Sequence, residues 1–194
     1  MGAEAVELDV QMSQDGVLFA WHNEFLEDKT RICAQSADVI QHKKNAPEPL
    51  SFVVPHIPEN GILILDPKIY AFCQDDFDDS TFVSRLQSIA QAYNFEVYLQ
   101  LSSSFLFPAA KSLNWPTYYA GYDYQDSKNR ALSENFEGIA LSNNVLSTED
   151  VEDAHATSLK IITYNIRSAK ALEQAIAKKV DVILVDQVAL ISNY

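Results

Sequence analysis

GIALSNNVLSTEDVEDAHATSLKIITYNIRSAKALEQAIAKKVDVILVD, residues 138–186, holds the pattern that decides the fold. Three short apolar runs, Gly138–Leu141, Leu159–Thr163 and Val180–Val185, alternate with two amphipathic stretches, Ser147–Thr157 and Ser168–Lys179. The runs are continuously apolar, which suits strands covered on both faces of a parallel sheet. Ser147 is a cap residue followed by acidic residues, and Ser168–Lys179 ends on two lysines. Both charge placements oppose the helix dipole favourably.

The alternation continues toward the N-terminus. Further strand-like runs are Ala5–Val10, Ile62–Leu65, Glu96–Leu101 and Thr117–Ala120. Ser80–Tyr93 reads as a helix capped by Ser80, with Phe82, Val83, Leu86, Ile89, Ala90 and Tyr93 on one stripe. Helical patterns also cover Asp126–Asn135 and Ser103–Leu113, the latter interrupted by Pro108. Seven strands, the late units spaced by about 20 residues, predict an α/β fold, a TIM-type (β/α)8 barrel, in one domain over residues 1–194. With only 5 glycines there is no phosphate-binding or dinucleotide loop. Asn23–Asn60, with Pro47, Pro49, Pro55 and Pro58, reads as an irregular insertion with a short helix near Ala37–Gln41.

The net charge of −13 argues against nucleic acid and anionic membrane surfaces as partners. No run is long enough to span a bilayer, and no signal-type core opens the chain, so the cytoplasm is the default compartment. Cys33 and Cys73 show neither metal-ligand spacing nor a disulfide framework, and are expected to be ordinary partly buried thiols.

Chemistry concentrates at the start. In Val6-Glu7-Leu8-Asp9-Val10 the two carboxylates stand two residues apart, on one face of a strand. Burying them together costs free energy that a cation would offset; a half-solvated acidic strand also explains the pair. Asp15-Gly16 is a two-residue hairpin signal before the run Val17–His22. In that register Gln14 faces Val17 and Asp9 faces His22, which gathers Glu7, Asp9 and His22; a one-residue slip would break the alignment. In barrels of this class, chemistry sits where strands end at their C-termini. That rule adds Asp66 and Lys68, Ser102–Ser104, Asp123, Asn143, Asn144, Tyr164, Asn165 and Asp186 as candidates. Asp66 would complete an oxygen-rich site for Mg²⁺ or Ca²⁺, with Lys68 alongside. His42 and His56 fall in the insertion and His155 on a helix, away from this cluster. The aromatic run Tyr118, Tyr119, Tyr122 and Tyr124 suits barrel packing or a pocket lining equally.

Together these segments resemble the glycerophosphodiester phosphodiesterase family. Gly2–Val10, Asp15-Gly16 and His22 are similar to its metal-binding strand, hairpin and catalytic histidine. Leu63–Lys68 resembles its Glu-x-Lys segment, with Asp at 66; Leu101–Phe105 resembles its serine-phenylalanine strand end. Tyr164–Arg167 stands where Trp-Thr-Val-Asn is usual, and Val180–Asp186 is similar to the closing strand. Asn23 follows His22 where the family has Asp. No segment matches the family's opening His-Arg-Gly strand, so the chain reads as an N-terminally truncated member lacking its first βα unit, about 30 residues.

The resemblance implies a phosphoric diester hydrolase of lipid and glycerol metabolism. It would cleave a small-molecule glycerophosphodiester to glycerol 3-phosphate and an alcohol. Glu7, Asp9 and Asp66 would hold the divalent cation, Mg²⁺ or Ca²⁺; Lys68 would contact the substrate phosphate; His22 would be the acid/base group. With the family's second histidine unmatched, activity is expected to be poor or absent. The alternatives are a non-catalytic relic or binding protein and a phospholipase-like lyase with a cyclic product; an unrelated aldolase or isomerase barrel is disfavoured. Exposed sheet edges beside Ala5–Val10 and Val180–Val185 offer a route to a homodimer.

Overall fold

The computed structural model describes residues 4–57, 61–93 and 95–191. Met1, then Gly2 and Ala3 of the family-like stretch, and Pro58 to Asn60 of the insertion lie outside the described residues. The described residues divide into two compact units, one built from residues 5–57, 61–93 and 95–99 with Ser103–Trp115, the other from Glu4, Gln100–Ser102 and residues 116–191.

The unit that carries the acidic run contains β1 (Ala5–Met12), β2 (Leu18–Ala20), α1 (Ala37–Gln41), α2 (Leu50–Val53), β3 (Ile62–Pro67), α3 (Asp79–Tyr93), most of β4 (Glu96–Leu101) and α4 (Phe107–Leu113). β1 runs parallel to β3 and β3 parallel to β4, while β2 returns antiparallel on the other side of β1. Leu63, Ile64, Leu65, Val97 and Leu99 are buried, as continuous apolar strands in a covered sheet should be. α3 buries Phe82 and Leu86. A smaller core of Leu26, Ile32 and Ile40 forms within the insertion against Phe19 of β2.

Five expectations change here. First, the hairpin pairs Met12 with Leu18, Gln11 with Phe19 and Val10 with Ala20, a one-residue shift from the expected register. Its loop has three residues, Gln14-Asp15-Gly16, closed by Ser13 N–H to Val17 O at 2.9 Å. Gly16 takes φ +81°, and Ser13 Oγ both accepts from Val17 N–H and donates to Asp15, which favours the longer loop. Trp21, not His22, therefore meets Asp9, its N–H donating to Asp9 O at 3.0 Å. Second, Cys33 and Cys73 form a disulfide, with Cα atoms 5.9 Å apart and a sequence separation of 40. Each lies on a short 3₁₀ turn, Ile32–Ala34 and Ala71–Cys73, and such long-range proximity leaves no mark in spacing. Third, Asp78 caps α3 in place of Ser80, its carboxylate accepting from Thr81 N–H at 3.0 Å. Fourth, Pro108 stands in the first turn of α4, where a missing N–H costs nothing. Fifth, the edge expected to be open beside Ala5–Val10 is partly covered by β2, whose own outer side bridges Pro49 from Phe19.

The second unit is a regular βα series: β5 (Thr117–Ala120), α5 (Tyr124–Glu134), β6 (Gly138–Ser142), α6 (Thr148–Ala156), β7 (Lys160–Ile166), α7 (Ala169–Lys178) and β8 (Val182–Val185). The strands are parallel and pair in that order. Each helix opens on a side-chain cap, from Asp123, Ser147 and Ser168, and the Ser147 cap is reciprocated by Asp150 as a capping box. At Gly138 a Cβ would stand 2.1 Å from Lys160 O, so only glycine lets β6 and β7 approach this closely. Ile166, Leu172 and Ala175 form a core against which Ile183, Val185 and Leu190 pack.

Candidate metal centre

Strand alternation puts Glu7 and Asp9 on the same face of β1. The parallel register sets Asp9 beside Asp66 and Glu7 beside Ile64, so Asp66 points to that face as well. One carboxylate oxygen from each of Glu7, Asp9 and Asp66 lies within 4.8 Å of the others. Lys68 N–H extends the ladder past the end of β3, donating to Val10 O at 2.8 Å. Two residues beyond Asp66, the Lys68 side chain returns to the same face. Its Nζ is 2.7 Å from Asp66 Oδ2 and 3.2 Å from Asp9 Oδ1.

The electrostatics follow from burial. The Asp66 side chain is only 4% exposed, and Lys68 and Asp9 are largely covered. Burial, then the charges of Asp9 and Asp66, push Glu7 up to about 8, with Lys68 opposing. Burial alone would lower the Lys68 pKa; the charges and hydrogen bonds of Asp66 and then Asp9 outweigh it and hold the ammonium above the ordinary lysine value. Two of the three carboxylates share one ammonium, and burial together with the neighbouring charges favours the protonated form of Glu7. An all-oxygen, anionic donor set in that condition fits a hard divalent cation such as Mg²⁺ or Ca²⁺.

His22 is exposed and lies outside this carboxylate group. Its Nδ1 stands 3.1 Å from Asn23 Oδ1, and its backbone carbonyl accepts from Tyr70 Oη–H at 2.5 Å. The loops that carry His22 and Tyr70 are tied further. The Cys33–Cys73 bond joins them, and the Arg31 guanidinium lies 4.4 Å from the ring centres of both Phe25 and Phe72 while pairing with Glu24 at 2.7 Å. Tyr70 feels the centre: burial raises its pKa, Lys68 opposes, and the charges of Asp9, Glu24 and Asp66 add to the rise.

Sequence reasoning passed over Tyr70, Gln11 and Arg31. The signal for Gln11 was present, because the polar alternation Glu7, Asp9 continues to it in Glu7-Leu8-Asp9-Val10-Gln11. Four of the other strand-end candidates have local partners. Ser103 caps a 3₁₀ turn, Asp123 caps α5, Asn143 accepts from Lys178 Nζ, and Asp186 pairs with Arg167. His155 pairs with Asp181 at 2.9 Å and His42 with Asp38, remote in sequence from the carboxylates.

No family model matches the sequence, and no curated protein does. Solved structures match over nearly the whole chain. A phosphodiesterase from Oleispira antarctica, solved with the product sn-glycerol-3-phosphate, is 14% identical with a TM-score of 0.81, over 99% of this chain and 85% of that one. A glycerophosphodiester phosphodiesterase from Parabacteroides distasonis is 16% identical with a TM-score of 0.75, over 97% of this chain and 82% of its own. One from Agrobacterium tumefaciens is 14% identical with a TM-score of 0.74, over 99% and 87% of the two chains. The chain is an α/β protein of TIM-barrel type. More narrowly, its fold is that of the glycerophosphodiester phosphodiesterases.

Proposed function

We propose that this chain is a phosphoric diester hydrolase of the glycerophosphodiester phosphodiesterase family, acting on a small-molecule glycerophosphodiester. The observation that carries the reading is the convergence of Glu7, Asp9 and Asp66 on one face of the β1/β3 pair, with Lys68 beside them, in a chain of this fold. Glu7, Asp9 and Asp66 would hold Mg²⁺ or Ca²⁺. A bound cation there supplies charge neutralisation for phosphate oxygens and polarises the phosphoryl group. The Lys68 ammonium offers the phosphate a second positive contact. In the hydrolysis a water oxygen bonds to phosphorus and the P–O bond to the alcohol breaks. The proton shed by the water replaces phosphorus on the alcohol oxygen. His22 is the group for that proton: with Nδ1–H donated to Asn23 Oδ1, its Nε2 is left to accept and return it.

We assign both proton transfers to His22, the histidine on the segment that follows β2. With one histidine assigned to both transfers, low turnover is the expected outcome, because a single acid/base group typically contributes about 10²–10⁴ in rate. Diester hydrolysis in Mg²⁺ or Ca²⁺, followed by product analysis, tests the reading. Glycerol 3-phosphate and free alcohol support it; a cyclic product indicates a lyase; cation binding without turnover indicates a binding protein. Among the described residues no helix is long and apolar enough to cross a membrane. The Cys33–Cys73 bond favours an oxidising compartment over the cytoplasm expected from sequence. β8, half-buried and apolar, is the edge through which a homodimer would form.

A further inference from the structure

Three consecutive backbone carbonyls around His22 are each held by a side chain. Gln11 Nε2 donates to Trp21 O at 3.0 Å and to Asn23 O at 2.8 Å. Tyr70 Oη–H donates to His22 O. Gln11 is 4% exposed, so its amide is committed to these bonds and has little access to water. It lies on β1, two residues beyond Asp9 on the same face; Tyr70 lies four residues beyond Asp66. One donor therefore lies on β1 and the other just past the end of β3, and both close on the segment that carries the imidazole.

The segment needs such a clamp. β2 ends at Ala20, and the ladder between the hairpin strands stops with Trp21 N–H to Asp9 O. Beyond it the chain enters the insertion, and the His22 side chain is exposed, with one ring contact from its neighbour Asn23. A chain in that position, without ladder bonds, samples many conformations. A group that must move a proton needs placement to within a fraction of an ångström.

We infer that Gln11 and Tyr70 are positioning residues that fix His22 at a set distance from the Glu7–Asp9–Asp66 centre. The inference rests on the reading of His22 as the acid/base group and of the three carboxylates as cation ligands. In this role Gln11 and Tyr70 act through the backbone of residues 21–23. The proton chemistry of His22 depends on them, and cation affinity does not.

The test uses the full chain and Mn²⁺, a paramagnetic divalent ion that takes oxygen ligands. Relaxation enhancement is measured at the Leu8 and Leu65 amides, which flank the carboxylates, and at the His22 ring protons. Wild type, Gln11→Met and Tyr70→Phe are compared. Gln11→Met keeps length and removes both donors; Tyr70→Phe removes only the hydroxyl and guards against a misfolded first variant. The expected result is an unchanged enhancement at Leu8 and Leu65 in all three proteins. At the His22 ring it changes by about twofold or more in each variant, with order parameters falling only at residues 21–23. An unchanged His22 enhancement in both variants overturns the positioning role. Absence of any enhancement at Leu8 and Leu65 in wild type overturns the metal reading instead.

Discussion

Glu7 makes cation binding a proton-linked event of predictable size. Its carboxyl is pushed up to about 8 by burial and by Asp9 and Asp66, from an ordinary 4.5. Below pH 8 an incoming cation must displace the Glu7 proton. At pH 7 each ion therefore releases close to one proton, and the apparent Kd weakens about tenfold per unit of pH lost below 8. Above about pH 9 the affinity levels off. Isothermal titration of Ca²⁺ or Mg²⁺ at pH 6, 7, 8 and 9, in buffers of different ionisation enthalpy, reads both the slope and the proton count.

The same shift sets a stability trend in the absence of divalent ions. The folded protein holds the Glu7 proton more tightly than the unfolded chain, so between pH 4.5 and about 8 folding binds a proton. Stability accordingly falls as pH rises through that window, by up to about 5 kcal/mol from this one group. Glu7→Gln removes the dependence: it is close to neutral at pH 5 and stabilising at pH 9, and it abolishes proton release on cation binding. Urea unfolding of both proteins at pH 5, 7 and 9 measures the difference. A wild-type Kd that is the same at pH 6 and 9, together with a Glu7→Gln stability difference that does not change with pH, refutes the reasoning.

Lys68→Met strips the ammonium paired with Asp66 and Asp9, and should cost about 3 kcal/mol, with Ca²⁺ recovering most of the loss; thermal melts with and without the ion check this. Cutting the Cys33–Cys73 bond frees a loop spanning 40 residues, so Cys33→Ser with Cys73→Ser should destabilise by up to about 4 kcal/mol in urea unfolding, whereas no loss would mean the bond does not form. Ser147→Ala breaks the capping box of α6 and should cost about 1 kcal/mol at any pH near neutrality, with the cation Kd unchanged.

The fold was legible because its signals are local. Continuous apolar runs such as Ile62–Leu65 and Gly138–Leu141 are what a covered parallel strand requires, and each became one. Ser147 and Ser168 announce their helices by chemistry that acts within three residues. The proximity of Glu7 and Asp9 is equally local, a consequence of the two-residue period of a strand. Where a neighbour's choice mattered, reading failed. Asp15-Gly16 reads as a two-residue loop, yet Ser13 offers a second set of hydrogen bonds and the loop takes three, which sends His22 past Asp9. Asp78 outcompetes Ser80 as a cap by accepting from Thr81 with a full carboxylate.

What sequence alone determined is the βα alternation, the acidic face of β1 and the choice of hard oxygen donors, because periodicity and side-chain chemistry are properties of short segments. Only tertiary structure decided that Asp66 aligns with Asp9, that Lys68 bridges both, that Cys33 reaches Cys73, and that Gln11 and Tyr70 close on the His22 backbone. Those relations depend on strand register and on loops packed against each other from positions 40 or more residues apart. Such proximity is set by the burial of the whole unit, and no stretch of chain carries it by itself.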